Sequence, residues 1–242
     1  MSQAKHILTI SGIDVQIVRK DIKNLHLAVY PPDGHVRVAV PEHVTDDNVR
    51  LAVVSRLSWI KKQQQDFKDQ PRQSKRSYVS GECHYFFGKR CRLELIEQTG
   101  THELVLLKSG KLKMFVKPGT PVEKKEKLIN EWYRAELKKK VPDLIDKWQL
   151  IMGKKVANWG VKKMKTKWGS CTIETKRIWL NLELAKKPPE CLEYILVHEM
   201  VHLLERYHNE RFKTYMDNFL PQWRRCRDSL NRSPLAHESW LY

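Results

Sequence analysis

Apolar and polar residues alternate in three stretches near the start of the chain, Ile13/Val15/Ile17, Leu25/Leu27/Val29 and Val36/Val38/Val40. A period of two turns one face of a strand toward a core. The spacing therefore predicts antiparallel strands, with Pro31-Pro32-Asp33-Gly34 turning between the last two. From Thr45 the period lengthens: Val49, Val53, Leu57 and Ile60 recur at helical spacing behind a Thr45 cap, and the polar run Lys61 to Lys68 continues it. This predicts one helix of roughly six turns. Gln70 to Ser77 is polar, contains Pro71, and reads as a connecting loop.

A second group of strands is expected at Tyr85 to Phe87, Arg92 to Ile96, Glu103 to Leu107 and Leu112 to Val116, with turns at Thr99-Gly100 and Ser109-Gly110. Past Pro121 the pattern is helical, with Leu128, Trp132 and Ala135 on one face. Pro142 is expected to interrupt that helix before Leu144, Ile145 and Trp148 resume the stripe. Lys154 to Lys167 mixes lysines with Trp159 and Met164. Such a segment suits a half-exposed strand, and a phosphate backbone is the competing reading. The sequence shows no internal repeat. The fold class expected is α+β, with a β-rich domain at 1–120 holding antiparallel strands and a helix, and a helical domain at 121–242.

Composition narrows the class. Among 242 residues 41% are hydrophobic and 30% charged, the balance of a globular chain and not of a disordered one. No apolar run is long enough to span a bilayer, and Met1 to Ile10 lacks the features of a secretory signal. A cytoplasmic location with no membrane partner is expected. Five widely spaced cysteines without a C-x-x-C pair argue for reduced thiols and against a cysteine zinc knuckle. The formal charge of +17 favours polyanions such as nucleic acid, or acidic protein surfaces. No feature sets an oligomeric state.

The residues that carry chemistry lie downstream. Ile178 to Ala185 reads as a strand, Pro188-Pro189 follows, and the run Cys191 to Leu204 reads as a mostly buried helix. On it His198 and His202, four residues apart, share one face about a turn apart and can hold one tetrahedral ion. Glu199 stands beside them, placed to take a proton from an activated water. Burying two imidazoles and a carboxylate among aliphatic side chains without a metal or partners is costly, which weighs against a purely structural role. A catalytic zinc needs a third protein ligand, for which His208 is the candidate. Glu205 and Glu238 are the rivals. Asn209 is placed to cap a helix from Glu210 to Phe219, with Phe212, Tyr215 and Phe219 spaced to pack beneath the site.

Lys167 to Phe212 resembles the YgjP-like metallopeptidases, which are similar to the SprT-like and Wss-type proteases. The matching pieces are Trp168-Gly169-Ser170-Cys171, the strand Arg177 to Asn181, Pro188-Pro189, and His198-Glu199-x-x-His202 with His208 and Phe212. Weaker likeness extends through Tyr78-x-x-Gly81-Glu82, Phe87-Gly88-Lys89 and Trp132-Tyr133-Arg134. Tyr207-His208-Asn209 departs from the Asn-His-Ser often found in the family. The resemblance implies a zincin-like catalytic half, Zn2+ held by the three histidines, Glu199 as general base, and a protein or peptide substrate. Ile178 to Leu184 is expected to offer the strand edge on which that substrate aligns. Trp168 to Cys171 reads as packing, with Cys171 a candidate modulator of the metal.

Two other readings stand beside this one. A basic nucleic-acid-binding protein could carry a structural or vestigial zinc, or a peptidase could act on DNA-associated proteins. A metal-activated water could also attack a phosphoanhydride, an anion that the lysines of Lys154 to Lys167 would suit.

Overall fold

The computed structural model describes residues 5–30, 33–69, 76–164 and 167–232. Pro31-Pro32, the 70–75 part of the expected loop, Lys165 and Glu238 lie outside them. The described chain forms two compact units, one within 5–69 and one within 76–232. The boundary expected at residue 120 therefore falls inside the second unit. Its strands pack with the helices that follow because they share one apolar core: Leu93, Leu112 and Met114 lie in the same cluster as Leu137, Leu180 and Leu196.

In the first unit β1 (Lys5–Ile10), β2 (Ile13–Lys20), β3 (His26–Tyr30) and β4 (His35–Pro41) form a sheet in the order β1-β2-β4-β3. The sheet is mixed and not antiparallel throughout, since β2 and β4 run parallel. Burial gives the reason. Val15, Ile17, Val36, Val38 and Val40 are fully enclosed, whereas β3 is only half-buried, so the two most apolar strands take the centre. Thr45 caps as expected, its hydroxyl accepting from the Asn48 N–H at 3.4 Å. The expected single helix is two, α1 (Asp46–Val54) and α2 (Leu57–Asp69). At the break the Ser55 hydroxyl donates to the Ala52 carbonyl at 2.9 Å, competing with the helix ladder.

The second unit opens with β5 (Cys83–Phe86), β6 (Lys89–Glu97), β7 (Glu103–Leu106) and β8 (Lys111–Val116), ordered β5-β6-β8-β7 with β6 and β8 parallel. This is the first sheet's topology again. The two-residue turns Ser11-Gly12 and Phe87-Gly88 both take positive φ, and Gly12 and Gly88, like Gly34 and Gly110, stand 76 positions apart. The buried sets Val36/Val38/Val40 and Leu112/Met114/Val116 keep that same spacing of 76. The sequence hides this repeat because backbone turns and inward volumes recur, while few side chains are identical.

Helix α3 (Val122–Met152) passes through Pro142 without interruption. The carbonyl that Pro142 frees belongs to Lys138, which is exposed and can bond water, while Leu137, Val141, Ile145 and Trp148 bury a continuous stripe. A three-stranded sheet follows, β10 (Gly169–Thr172), β11 (Arg177–Asn181) and β9 (Asn158–Lys162) in that order. The expected strand at Ile178 stops at Asn181, because the Asn181 carboxamide accepts from the Glu183 N–H at 3.2 Å and starts a 3-10 turn, Leu182–Lys186. That turn meets the β5–β6 hairpin, whose Phe87 N–H donates to the Ala185 carbonyl at 2.8 Å. A Cβ on Gly88 would stand 3.0 Å from Pro188, so the hairpin seats the step into α4 (Pro189–Val201). The chain closes with α5 (Glu210–Phe219) and α6 (Trp223–Arg232). Among the described residues no helix is long and apolar enough to cross a membrane.

Candidate active site

Helix α4 is buried over most of its circumference and is tied to α3 by Glu193, which accepts from Lys147 Nζ at 2.7 Å and Trp148 Nε1 at 2.9 Å. His198 and Glu199 lie in its last turn, and His202 closes it. The helix stops there, short of the Leu204 that its apolar pattern reaches, because Leu203 and Leu204 bond back to Met200 and Val201 in a tight turn. The chain then reverses into α5. Asn209 caps α5, accepting from the Phe212 N–H at 3.0 Å, and so fixes the backbone beside His208.

The imidazole centroids of His198, His202 and His208 stand 4.7 to 5.1 Å apart, and their nitrogens capable of binding a metal all fall within 4.8 Å of one another. Phe212 lies against all three rings, 4.7 to 5.0 Å between centroids. Tyr215 and Phe219 do not share that place: they stack on each other, and Phe219 meets Trp148. Glu205 turns away, accepting from the Tyr207 N–H at 3.1 Å and lying 3.9 Å from Arg211.

Charge and tautomer suit a cation. Burial first, then His202 and His208, holds the His198 pKa down at about 3, and burial also lowers that of His202. His202 Nδ1 lies 3.2 Å from the Glu205 carbonyl. Donation there leaves the other ring nitrogen as a lone-pair donor. The Nε2 atoms of His198 and His208 are 3.1 Å apart, which requires a shared proton or a metal ion between them. Tetrahedral zinc with bonds of about 2.0–2.1 Å would space two such nitrogens by about 3.3 Å. The donor set therefore fits zinc.

Glu199 is 6% exposed, and burial raises its pKa to about 8, while Lys167 and the Cys171 backbone N–H pull it back. A Cβ on Gly169 would stand 2.6 Å from Glu199 Oε1, so only a glycine leaves the carboxylate its place. Trp168 and Cys171 pack against the core as expected, and Gly169–Thr172 also forms the edge strand β10 along a cleft of about 540 Å³ that reaches Tyr194, Arg206 and the histidines. One expectation is corrected. The Ile178 strand, expected as the edge, is the central one, held there by β9 on its far side. Sequence reasoning has Asn181 only as the end of the matching strand and gives it no role; it is 5% exposed and donates from Nδ2 to the carbonyls of Met164 at 2.9 Å and Lys167 at 2.7 Å. It fastens the approach to β10. The only signal was a polar residue ending an apolar run.

A family model described as YgjP-like, metallopeptidase domain, matches residues 23–233. The chain belongs to the YgjP-like family. As a YgjP-like protein it carries a metallopeptidase domain, and the matched segment contains all the residues of the cleft. Two crystal structures of metallopeptidase zymogens resemble part of the chain. Abylysin of Pyrococcus abyssi is 20% identical with a TM-score of 0.36, over 40% of this chain and 99% of that one. Jannalysin of Methanocaldococcus jannaschii is 22% identical with a TM-score of 0.34, over 37% of this chain and 92% of that one. No curated protein matches the chain.

Proposed function

We propose that the chain is a zinc-dependent peptidase of zincin-like build, with His198, His202 and His208 holding the ion and Glu199 acting as general base. The observation that carries this is the convergence of three imidazoles on one point beside a buried carboxylate of the same helix. Bound zinc supplies Lewis acidity, enough to bring the pKa of a coordinated water to about 7 and to polarise the scissile carbonyl. Glu199 takes the proton at a carboxylate oxygen and later passes it to the leaving amine. The Cys171 N–H and the wall at Gly169 aim that carboxylate. The free edge of β10 lets an extended peptide add as a further strand, with backbone affinity and little side-chain choice.

Replacing Glu199 with Gln is expected to leave zinc content at that of the wild type while lowering kcat on a casein substrate roughly 10²- to 10⁴-fold. Elemental analysis and a chelator-controlled cleavage assay measure both. Full activity in the variant would remove Glu199 from the mechanism, and chelator-resistant cleavage would remove the metal.

A further inference from the structure

Chain segment 153–182 holds eight lysines and arginines against one acidic residue, Glu174. Several cations elsewhere in this unit meet carboxylates, for instance Lys186 with Glu183 and Arg224 with Asp217. By contrast Lys154, Lys155, Lys162, Lys176 and Arg177 are exposed and have no carboxylate partner among the described residues.

The register of the three-stranded sheet gathers part of this charge on one face. Ile178 and Leu180 turn into the core with Val161, so Trp179 turns outward with its neighbours Ser170, Gly160 and Arg177. A Cβ on Gly160 would fall 2.5 Å from the Trp179 ring, so the indole lies against the β9 backbone where only a glycine leaves it room. Lys162 Nζ is 4.7 Å and the Arg177 guanidinium 5.0 Å from the same ring centroid. Two like charges thus share one ring with no carboxylate partner among the described residues, an arrangement that a phosphate would relieve.

We propose that this outer face binds single-stranded nucleic acid, with Lys162 and Arg177 on successive phosphates and a base stacked at Trp179. A flat aromatic platform flanked by cations is sequence-tolerant for bases, and a sheet offers no helix to enter a duplex groove. The same sheet carries β10 along the cleft, so a protein bound to that strand of nucleic acid would be presented near the cleft. The binding claim goes beyond peptide hydrolysis and holds whether or not the cleft is active.

The test is fluorescence anisotropy of the full chain with fluorescein-labelled 20-mers of oligo(dT), oligo(U) and a duplex, at two salt concentrations. The Lys162→Glu/Arg177→Glu variant is compared with a Lys108→Glu/Lys138→Glu control of equal net charge. Expected are at least tenfold weaker binding to single strands than wild type, a salt slope smaller by about 1.4 (about 0.7 for each lost phosphate contact), and a control within threefold of wild type. The ratio of oligo(dT) to oligo(U) affinity tells which sugar is preferred, and tight binding of either supports the proposal. It is overturned if neither single strand binds, if the duplex binds as tightly as both, or if the control loses as much as the variant.

Discussion

A Cβ added to Gly169 would stand 2.6 Å from Glu199 Oε1 and 2.9 Å from Ile195 Cγ2, both held in a buried helix. Gly169→Ala is therefore expected to cost about 1–3 kcal/mol of stability by overpacking. On the proposed mechanism Glu199 is the general base, and displacing such a group by about 1 Å can cost some 10²-fold in rate, so kcat should fall to that extent with zinc content unchanged. Urea denaturation, kinetics and metal analysis separate the effects. His84 makes a second prediction. It is 5% exposed and stacked with Tyr78 at 5.7 Å, and burial, then Arg76, lower its pKa to about 4 against the pull of Glu82. The folded state thus disfavours the proton that the unfolded chain accepts near pH 6.5. Its contribution to stability is fully present above pH 6.5 and is lost as pH falls toward 4. The stability difference between wild type and His84→Gln, from urea midpoints, should shrink across that window.

At the scale of elements, the site depends on where helices stop. Had α4 run straight on through Leu204, His208 would have been carried away from the other two rings; the tight turn after His202 and the Asn209 cap bring it back. Asn209→Ala should cost about 1 kcal/mol of stability. It should also weaken zinc binding several-fold in competition with a chelating dye, because His208 adjoins the cap and Phe212, whose N–H is capped, floors the three rings. Unchanged zinc affinity would show that the histidines are positioned without α5. Cap and helix could be read from neighbouring residues alone. Passage of α3 through Pro142 could not, since it rests on buried contacts of Val141 and Ile145 that outweigh the lost bond.

Across the whole molecule, the core of Ile10, Val15 and Ile60 shares no member with that of Tyr78 through Leu230. Each unit has enough apolar burial to fold around itself. Residues 74–233 alone are therefore expected to purify folded and to bind one zinc, and zinc at a hundred times its Kd should stabilise that fragment by about 2.7 kcal/mol. Thermal melts with and without chelator measure this. A fragment that is insoluble, or that stays metal-free while the full chain loads, would show that the second unit needs the first.

Local order along the chain determined the strand periods, the Thr45 and Asn209 caps and the four-residue step from His198 to His202, since each follows from groups within a turn or two of one another. Pairing between distant segments decided the rest. Which strand stands at the edge beside Glu199, why β4 lies between β2 and β3, and how Asn181 holds the approach to β10 depend on competition among apolar faces for one interior. That competition is settled by total burial, a property no window of sequence contains.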